Sequence, residues 1–415
     1  MPHRPLEGLK RHNQQALLAV LGSCAAIFWP GALTFGFPGV MAPLWQEMFQ
    51  VGQAATGLTI FFMLAAVGAF MFPVGRWQER FGPRKMIALG VILTALASLV
   101  VSQATSIYTV YAWAGLNGLA SCFVYVPALT LAQWCYPHRR GLVAGTVSMV
   151  FGLAAAIMSP LFAKMLAALG YEAMNLAAAL LTLCAGLLGA YFARAPQSWQ
   201  DAASTKRSGS ASAQMVFHSI KSLTVSESLH TRSFWLLWIT WTLAGAAGVS
   251  MTVLSTAYGL FMGFPLEAAI IILTAFNLTN GTGRFISGIL SDRFGRNYVM
   301  SLAFLAAGLA YFALPGAGGI ASCALLAAVI GFSFGTLFSV SAPLVADCFG
   351  LEHFGAIFGL TFAAYGFVAG PLGPTLSGYL LDVTGENFRL VFVYLGILCL
   401  LAGLCIRGVV PPRNA

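Results

Sequence analysis

The chain has 415 residues, of which 59% are apolar or aromatic and only 8% are Asp, Glu, Lys or Arg, against about 25% charged residues in soluble domains. That balance excludes a soluble enzyme. An outer-membrane barrel is also excluded, because its strands would show segments of about ten residues with alternating polarity, and the long Ala, Leu, Gly and Phe runs here do not alternate. The formal net charge is +9, but the basic residues are scattered through short connections rather than gathered on one soluble face, so nucleic acid is not an expected partner.

Taken in chain order, apolar runs long enough to cross about 30 Å of hydrocarbon lie at about 16–45, 54–75, 86–104, 108–134, 142–168 and 174–193. The first exceeds the length of a signal-peptide core and reads as a retained helix. A Ser/Gly-rich polar stretch follows, with Ser204 to Ala213 at its centre, and its composition predicts a flexible tether. A second set of runs lies at about 234–262, 268–290, 298–314, 320–346, 354–380 and 389–410. The expectation is an all-α integral membrane protein with twelve transmembrane helices in two sets of six: residues 1–193, a cytoplasmic linker over 194–233, and residues 234–415.

Loop charges set the expected orientation. With the N-terminus inside, eighteen of the twenty-one Lys and Arg residues fall on the cytoplasmic side, among them Arg76, Arg80, Arg84, Lys85, Arg194, Arg232, Arg293 and Arg296. Only Lys164 and Arg389 fall outside. Both termini are therefore expected in the cytoplasm, with the chain multi-pass in a bacterial inner membrane or a plasma membrane.

The two sets of runs repeat. At a shift of 213 residues, Gly75, Glu79, Arg80, Phe81 and Gly82 align with Gly288, Asp292, Arg293, Phe294 and Gly295. The same shift pairs Gly118 with Gly331, and one residue more pairs Gly152 with Gly366 and Pro160 with Pro374. The glycines suit a tight helix end, and an acid placed beside arginines suits a cytoplasmic gate. On these residues the sequence resembles the major facilitator superfamily, whose loop signature is G-x-x-x-[DE]-R-x-G-x-[RK]; it departs where Asn297 follows Arg296. The resemblance implies two six-helix pseudo-repeats rocking about a central site.

Within the apolar runs one charge lies well inside, Arg284. Burying a charge in lipid is costly, so an intramembrane ionisable residue is a functional candidate. Asn277, Asn280, Arg284 and Ser287 are spaced by three, four and three residues, which puts them on one helical face. The repeat-related position is Met71, so the scaffold does not require a cation there. No Asp or Glu occupies the interior of a run, so the expected counter-ion is the substrate, and a planar guanidinium suits a carboxylate in two-point contact. One interior cation matches one carboxylate. Phe28, Trp29, Phe35, Tyr125, Ser148, Phe151, Phe338, Phe362 and Tyr365 are candidates for the rest of the pocket, Tyr125 and Tyr365 foremost because a buried phenol needs a partner. Trp29-Pro30-Gly31 and Phe37-Pro38-Gly39 are candidate flexing points.

Two further stretches, Tyr136 to Gly145 and Asn280-x-x-x-Arg284, resemble the monocarboxylate transporter and oxalate:formate antiporter branch of that superfamily; the entry to the seventh run at Thr231 to Leu237 is similar as well. The resemblance implies that Arg284 binds the substrate carboxylate with help from Asn280. It also implies that oxalate is disfavoured, because the branch's second cation is replaced by Tyr365. Where animal relatives carry Asp, this chain carries Asn280, so a proton would ride on the substrate or stay near Asp347. The expected function is secondary transport of a small monocarboxylate such as lactate or pyruvate, with proton symport and as a monomer. The alternatives are organic-anion exchange, a larger acidic cargo, or a membrane receptor that transports nothing.

None of the eight cysteines forms a C-x-x-C pair, and the six histidines lie in the N-terminal arm or polar connections. Neither H-E-x-x-H nor a P-loop motif occurs. No metal, no cofactor and no enzymatic chemistry are expected.

Overall fold

The computed structural model describes residues 4–136, 140–194, 223–350 and 354–411. Among them there is no strand. Helices α1 (Arg4–Phe35) and α2 (Phe37–Phe49) are followed by α3 (Gln53–Phe81), α4 (Pro83–Ser102), α5 (Ile107–Cys135) and α6 (Arg140–Phe192). The second part of the chain holds α7 (Val225–Leu229), α8 (Arg232–Phe261), α9 (Leu266–Phe294), α10 (Arg296–Ala313), α11 (Ile320–Phe349), α12 (Phe354–Ala364), α13 (Leu376–Thr384) and α14 (Phe388–Arg407). Two π-helical turns, Tyr365–Ala369 and Pro371–Thr375, join α12 to α13. The tether centre at 204–213 and part of the Tyr136 to Gly145 stretch lie outside the described residues.

Ten helices among the described residues are long and apolar enough to cross a membrane. One of them, Gly145–Phe192, runs for 48 residues and turns at Gly170, where φ is 77°, so it folds back as two rods. Helix α9 is not among the ten, because the polar face that carries Arg284 lowers its hydropathy. Its opposite face is apolar and open: Leu278, Ile286 and Ile289 are about half exposed, whereas Asn277, Asn280, Arg284 and Ser287 are buried. A soluble helix has the reverse arrangement.

Local sequence explains the ends of these rods. The repeated motif closes α3 at Gly82 (φ 81°) and α9 at Gly295 (φ 94°), backbone angles that L side chains rarely adopt. Repeat-related glycines thus make repeat-related turns. Helix α8 starts at a Thr231 cap whose hydroxyl accepts from the Phe234 N–H at 3.2 Å, the expected role of Thr at a helix start. The end of the linker is ordered: Thr224 and Glu227 form a reciprocal capping box on α7. The first run breaks at Gly36, between α1 and α2, while α1 continues through Pro30.

Two glycine-to-glycine contacts join the first and second halves of the chain. A methyl group on Gly152 would stand 2.8 Å from the Cα of Gly281, and one on Gly366 would stand 2.7 Å from the Cα of Gly68. These four positions are related by the repeat, since Gly281 lies 213 residues after Gly68 and Gly366 lies 214 after Gly152. Small residues allow close backbone approach between membrane helices. Toward the arginine-rich turns, Gly75, Gly145, Gly288 and Gly359 have no described atom within 4 Å of where a Cβ would sit. Toward the other end, Gly57 packs against Pro374 and Gly378 against Gln53 and Ala54. The two halves are thus in backbone contact at the end away from the arginine-rich turns.

Candidate functional site

Arg284 is only 1% exposed and is among the largest fully buried side chains. Its Nη1 donates to the Ser148 hydroxyl at 3.0 Å and, more weakly, to the Ser148 carbonyl at 3.4 Å. Its Nη2 reaches the Asn280 amide oxygen at 3.4 Å. The Nε has no hydrogen-bond partner among the described residues, and Gly152, whose missing methyl would stand 3.4 Å away, leaves room beside it. No ion pair to Arg284 occurs among the described residues.

Aromatic faces replace carboxylates around the cation. The guanidinium carbon lies 4.5 Å from the Phe338 ring centroid and 5.9 Å from those of Phe35 and Phe151, within range of attraction to the ring quadrupole. Tyr125 shares a 3.1 Å hydrogen bond with Ser148, so α5 holds the hydroxyl of α6 that in turn holds Arg284 of α9. Tyr365, 2% exposed, packs its ring 5.4 Å from Phe338. Its hydroxyl has no partner among the described residues. The π turn that opens at Tyr365 departs from α-helical register, a distortion often found at functional sites.

A cavity of about 40 Å³ lies between these groups. Arg284, Tyr125, Phe35, Phe338 and Tyr365 line it, and Leu64, Val67, Met71 and Phe362 make an apolar wall. Such a chamber can hold a small anion by its charged end and a short apolar tail by the wall.

Of the residues expected at the site, Arg284, Tyr125, Tyr365, Phe35 and Phe338 come together around the cavity. Asn280 touches Arg284 and keeps an unpartnered amide nitrogen. Asn277 turns to the chain carbonyl of Phe35 at 3.3 Å and is not a lining residue. Ser148 makes the shortest contact to Arg284; its only sequence signal is its place in an apolar run near a basic loop. Thr34 and Ser121, which also line the cavity, carry no motif that would single them out.

The gate residues sit apart. Gly75, Gly82, Gly288 and Gly295 lie toward the arginine-rich turns, with no described atom within 4 Å of where a Cβ would sit. Asp292 bonds Arg296 at 3.3 Å, and Arg296 also bonds Asp347, both contacts within the second half of the chain. Arg80 and Arg293 lie over Phe81 and Phe294, each at 5.5 Å. The Glu79 side chain lies outside the described residues. No cluster of His, Cys, Asp or Glu capable of holding a metal occurs among the described residues.

The sequence profile of the Major Facilitator Superfamily matches residues 24–272 and again 266–415. The chain belongs to this superfamily. The first match runs past the linker to the start of α9, where the second begins, and the superfamily is one of transporters. The oxalate:formate antiporter of Oxalobacter formigenes is 26% identical over 293 residues, 70% of this chain and 67% of that protein. Monocarboxylate transporter 13 of Bos taurus is 28% identical over 384 residues, 91% of this chain and 85% of the relative. Among solved structures, a bacterial homologue of the human lysosomal transporter Spinster, in an inward-facing and occupied conformation, superposes with a TM-score of 0.72. It covers 94% of this chain and 95% of its own at 13% identity, a likeness of fold alone.

Proposed function

We propose that this transporter carries a small monocarboxylate of lactate or pyruvate size across a cell membrane by alternating access. The observation that carries the reading is Arg284, a buried cation with no carboxylate partner among the described residues. A buried unpaired charge is costly, and a substrate carboxylate would balance it through charge-assisted hydrogen bonds. The apolar wall of Leu64, Val67, Met71 and Phe362 suits a short hydrocarbon tail and disfavours a second carboxylate. Tyr365, with its unpartnered hydroxyl, would donate to the same anion.

Twelve crossings are consistent with the ten apolar helices, the turn at Gly170 and the addition of α9. The arginine-rich turns would face the cytoplasm, with both termini on that side, and the end where Gly57 and Gly378 join the halves would face outward. The protein would act as a monomer in an inner or plasma membrane. With Asn280 beside Arg284 and no acid lining the cavity, the coupled proton would travel on the substrate or near Asp347. Glu79 and Asp292 would help control the cytoplasmic opening.

A second reading, exchange of organic anions, draws on the likeness to the oxalate:formate antiporter. Uptake by proteoliposomes of labelled mono- and dicarboxylates, with and without a protonophore, separates the two. Symport predicts monocarboxylate accumulation down an imposed proton gradient, collapsed by the protonophore. Uptake that requires internal anion and ignores the gradient supports exchange, and transport of dicarboxylates in place of monocarboxylates contradicts the proposal.

A further inference from the structure

A second charged contact crosses between the halves far from Arg284, at the end of the bundle away from the arginine-rich turns. Asp382, in α13, directs both carboxylate oxygens at the start of α3. Its Oδ1 accepts from the Gln53 N–H at 2.8 Å and its Oδ2 from the Ala54 N–H at 2.9 Å. The first N–H groups of a helix have no intrahelical acceptor and carry the positive end of its dipole, so a carboxylate satisfies them in charge and in number. The next turn adds a 3.4 Å contact from the Gln53 amide to Glu386.

Space for this carboxylate depends on Gly52. A methyl group there would stand 2.5 Å from Asp382 Oδ2, and the Gly52 φ of −77° is open to any residue, so the glycine is needed for room rather than for conformation. Around the contact the two halves meet backbone to backbone, Gly57 on Pro374 and Gly378 on Gln53 and Ala54. The repeat does not impose it: at the shift of 214 that pairs Pro160 with Pro374, the position related to Asp382 is Ala168. The start of α9, which the repeat relates to the start of α3, is capped by Pro265 with no side-chain acceptor.

We infer that Asp382 is a latch that holds the outer end of the central cavity shut by binding the exposed N–H groups at the start of α3. Gly52 provides its seat. The inference rests on the alternating-access reading but not on the identity of the substrate. Opening toward that side must break both carboxylate contacts, so the latch sets the share of molecules whose cavity faces outward. Asp382 acts as a positioning residue through α3, to whose first N–H groups it bonds, and is not itself a lining residue of the cavity.

The test reads access without substrate. In a Met71→Cys parent, a membrane-impermeant thiol reagent is applied from the α3-start side, and labelling at position 71 is followed by peptide mass spectrometry, which distinguishes it from the native thiols. Adding Asp382→Ala is expected to speed that labelling by roughly tenfold, and Gly52→Ala, which leaves the acid in place but fills its seat, to do likewise; labelling from the opposite side should fall in both. Equal outer-side rates in the parent and in either correctly inserted variant overturn the latch. Should Asp382→Ala fail to insert, Gly52→Ala alone decides it. Because no transport is measured, failure here leaves the carboxylate reading untouched, and failure of carboxylate uptake leaves the latch standing.

Discussion

Arg284 and Ser148 face each other across the two halves of the chain, joined by a 3.0 Å hydrogen bond from Nη1 to the serine Oγ. The only interior cation identified from the sequence is thus held by a hydroxyl from the other half, and Tyr125 holds that hydroxyl in place. A site divided in this way would sense any movement of one half against the other, which would change the Arg284 to Ser148 distance.

Ser148→Ala removes the hydroxyl contact and leaves Nη1 with the weaker carbonyl contact. Affinity for the transported acid is expected to fall by about tenfold, the effect of about 1.4 kcal/mol, and Tyr125→Phe to fall less because it acts through Ser148. Equilibrium binding to the purified protein checks both, and a larger loss in Tyr125→Phe than in Ser148→Ala would contradict the chain of contacts.

Tyr365→Phe deletes a buried hydroxyl that has no protein partner among the described residues. Thermal stability is expected to hold or rise, since leaving a buried polar group unpaired costs about 1–3 kcal/mol. Affinity for the substrate should fall several-fold. A drop in melting temperature with unchanged binding would assign the hydroxyl to the fold instead.

Gly152→Ala places a methyl 2.8 Å from Gly281 Cα and 3.4 Å from Arg284 Nε. The helices must separate, so turnover is expected to fall at least tenfold; Gly366→Ala, its counterpart in the repeat, should fall similarly. Proteoliposome uptake measured at saturating substrate provides the check, with normal turnover in both variants as the contrary result.

Much of the fold was legible because spanning helices write themselves as long apolar runs and because the repeat places Gly82 and Gly295 at equivalent turns. Helix α9 was legible for the opposite reason: its polar stripe at helical spacing marks a face that cannot meet lipid. The break at Gly36 adjoins the candidate flexing point Phe37-Pro38-Gly39, whereas the one at Pro30 stays helical; the π turns at Tyr365 and Pro371 were not legible, since they depend on how neighbouring helices press on a chain that Gly and Pro only permit to bend. Ser148 was legible as a pocket candidate, but Thr34 and Ser121 were not, because a lone hydroxyl in an apolar run bonds as readily to its own helix. Asn277 is the instructive case: its spacing put it on the Arg284 face, yet it binds the Phe35 carbonyl across the seam.

Asp292→Asn weakens the Arg296 contact at an exposed position, and such surface pairs contribute about 0–1 kcal/mol. The melting temperature is expected to stay within about 2 °C while turnover slows several-fold at unchanged binding affinity. Transport and binding measured on one preparation test this, and unchanged turnover would remove Asp292 from the gate.

The most direct measurement is equilibrium binding of a labelled monocarboxylate to purified, monodisperse protein carrying Arg284, Arg284→Lys or Arg284→Ala. The account predicts saturable binding by the native protein, weaker binding by Arg284→Lys, whose point charge lacks the planar fork, and none detectable with Arg284→Ala. Native-like affinity in a correctly folded Arg284→Ala protein would contradict the claim that this guanidinium receives the anion.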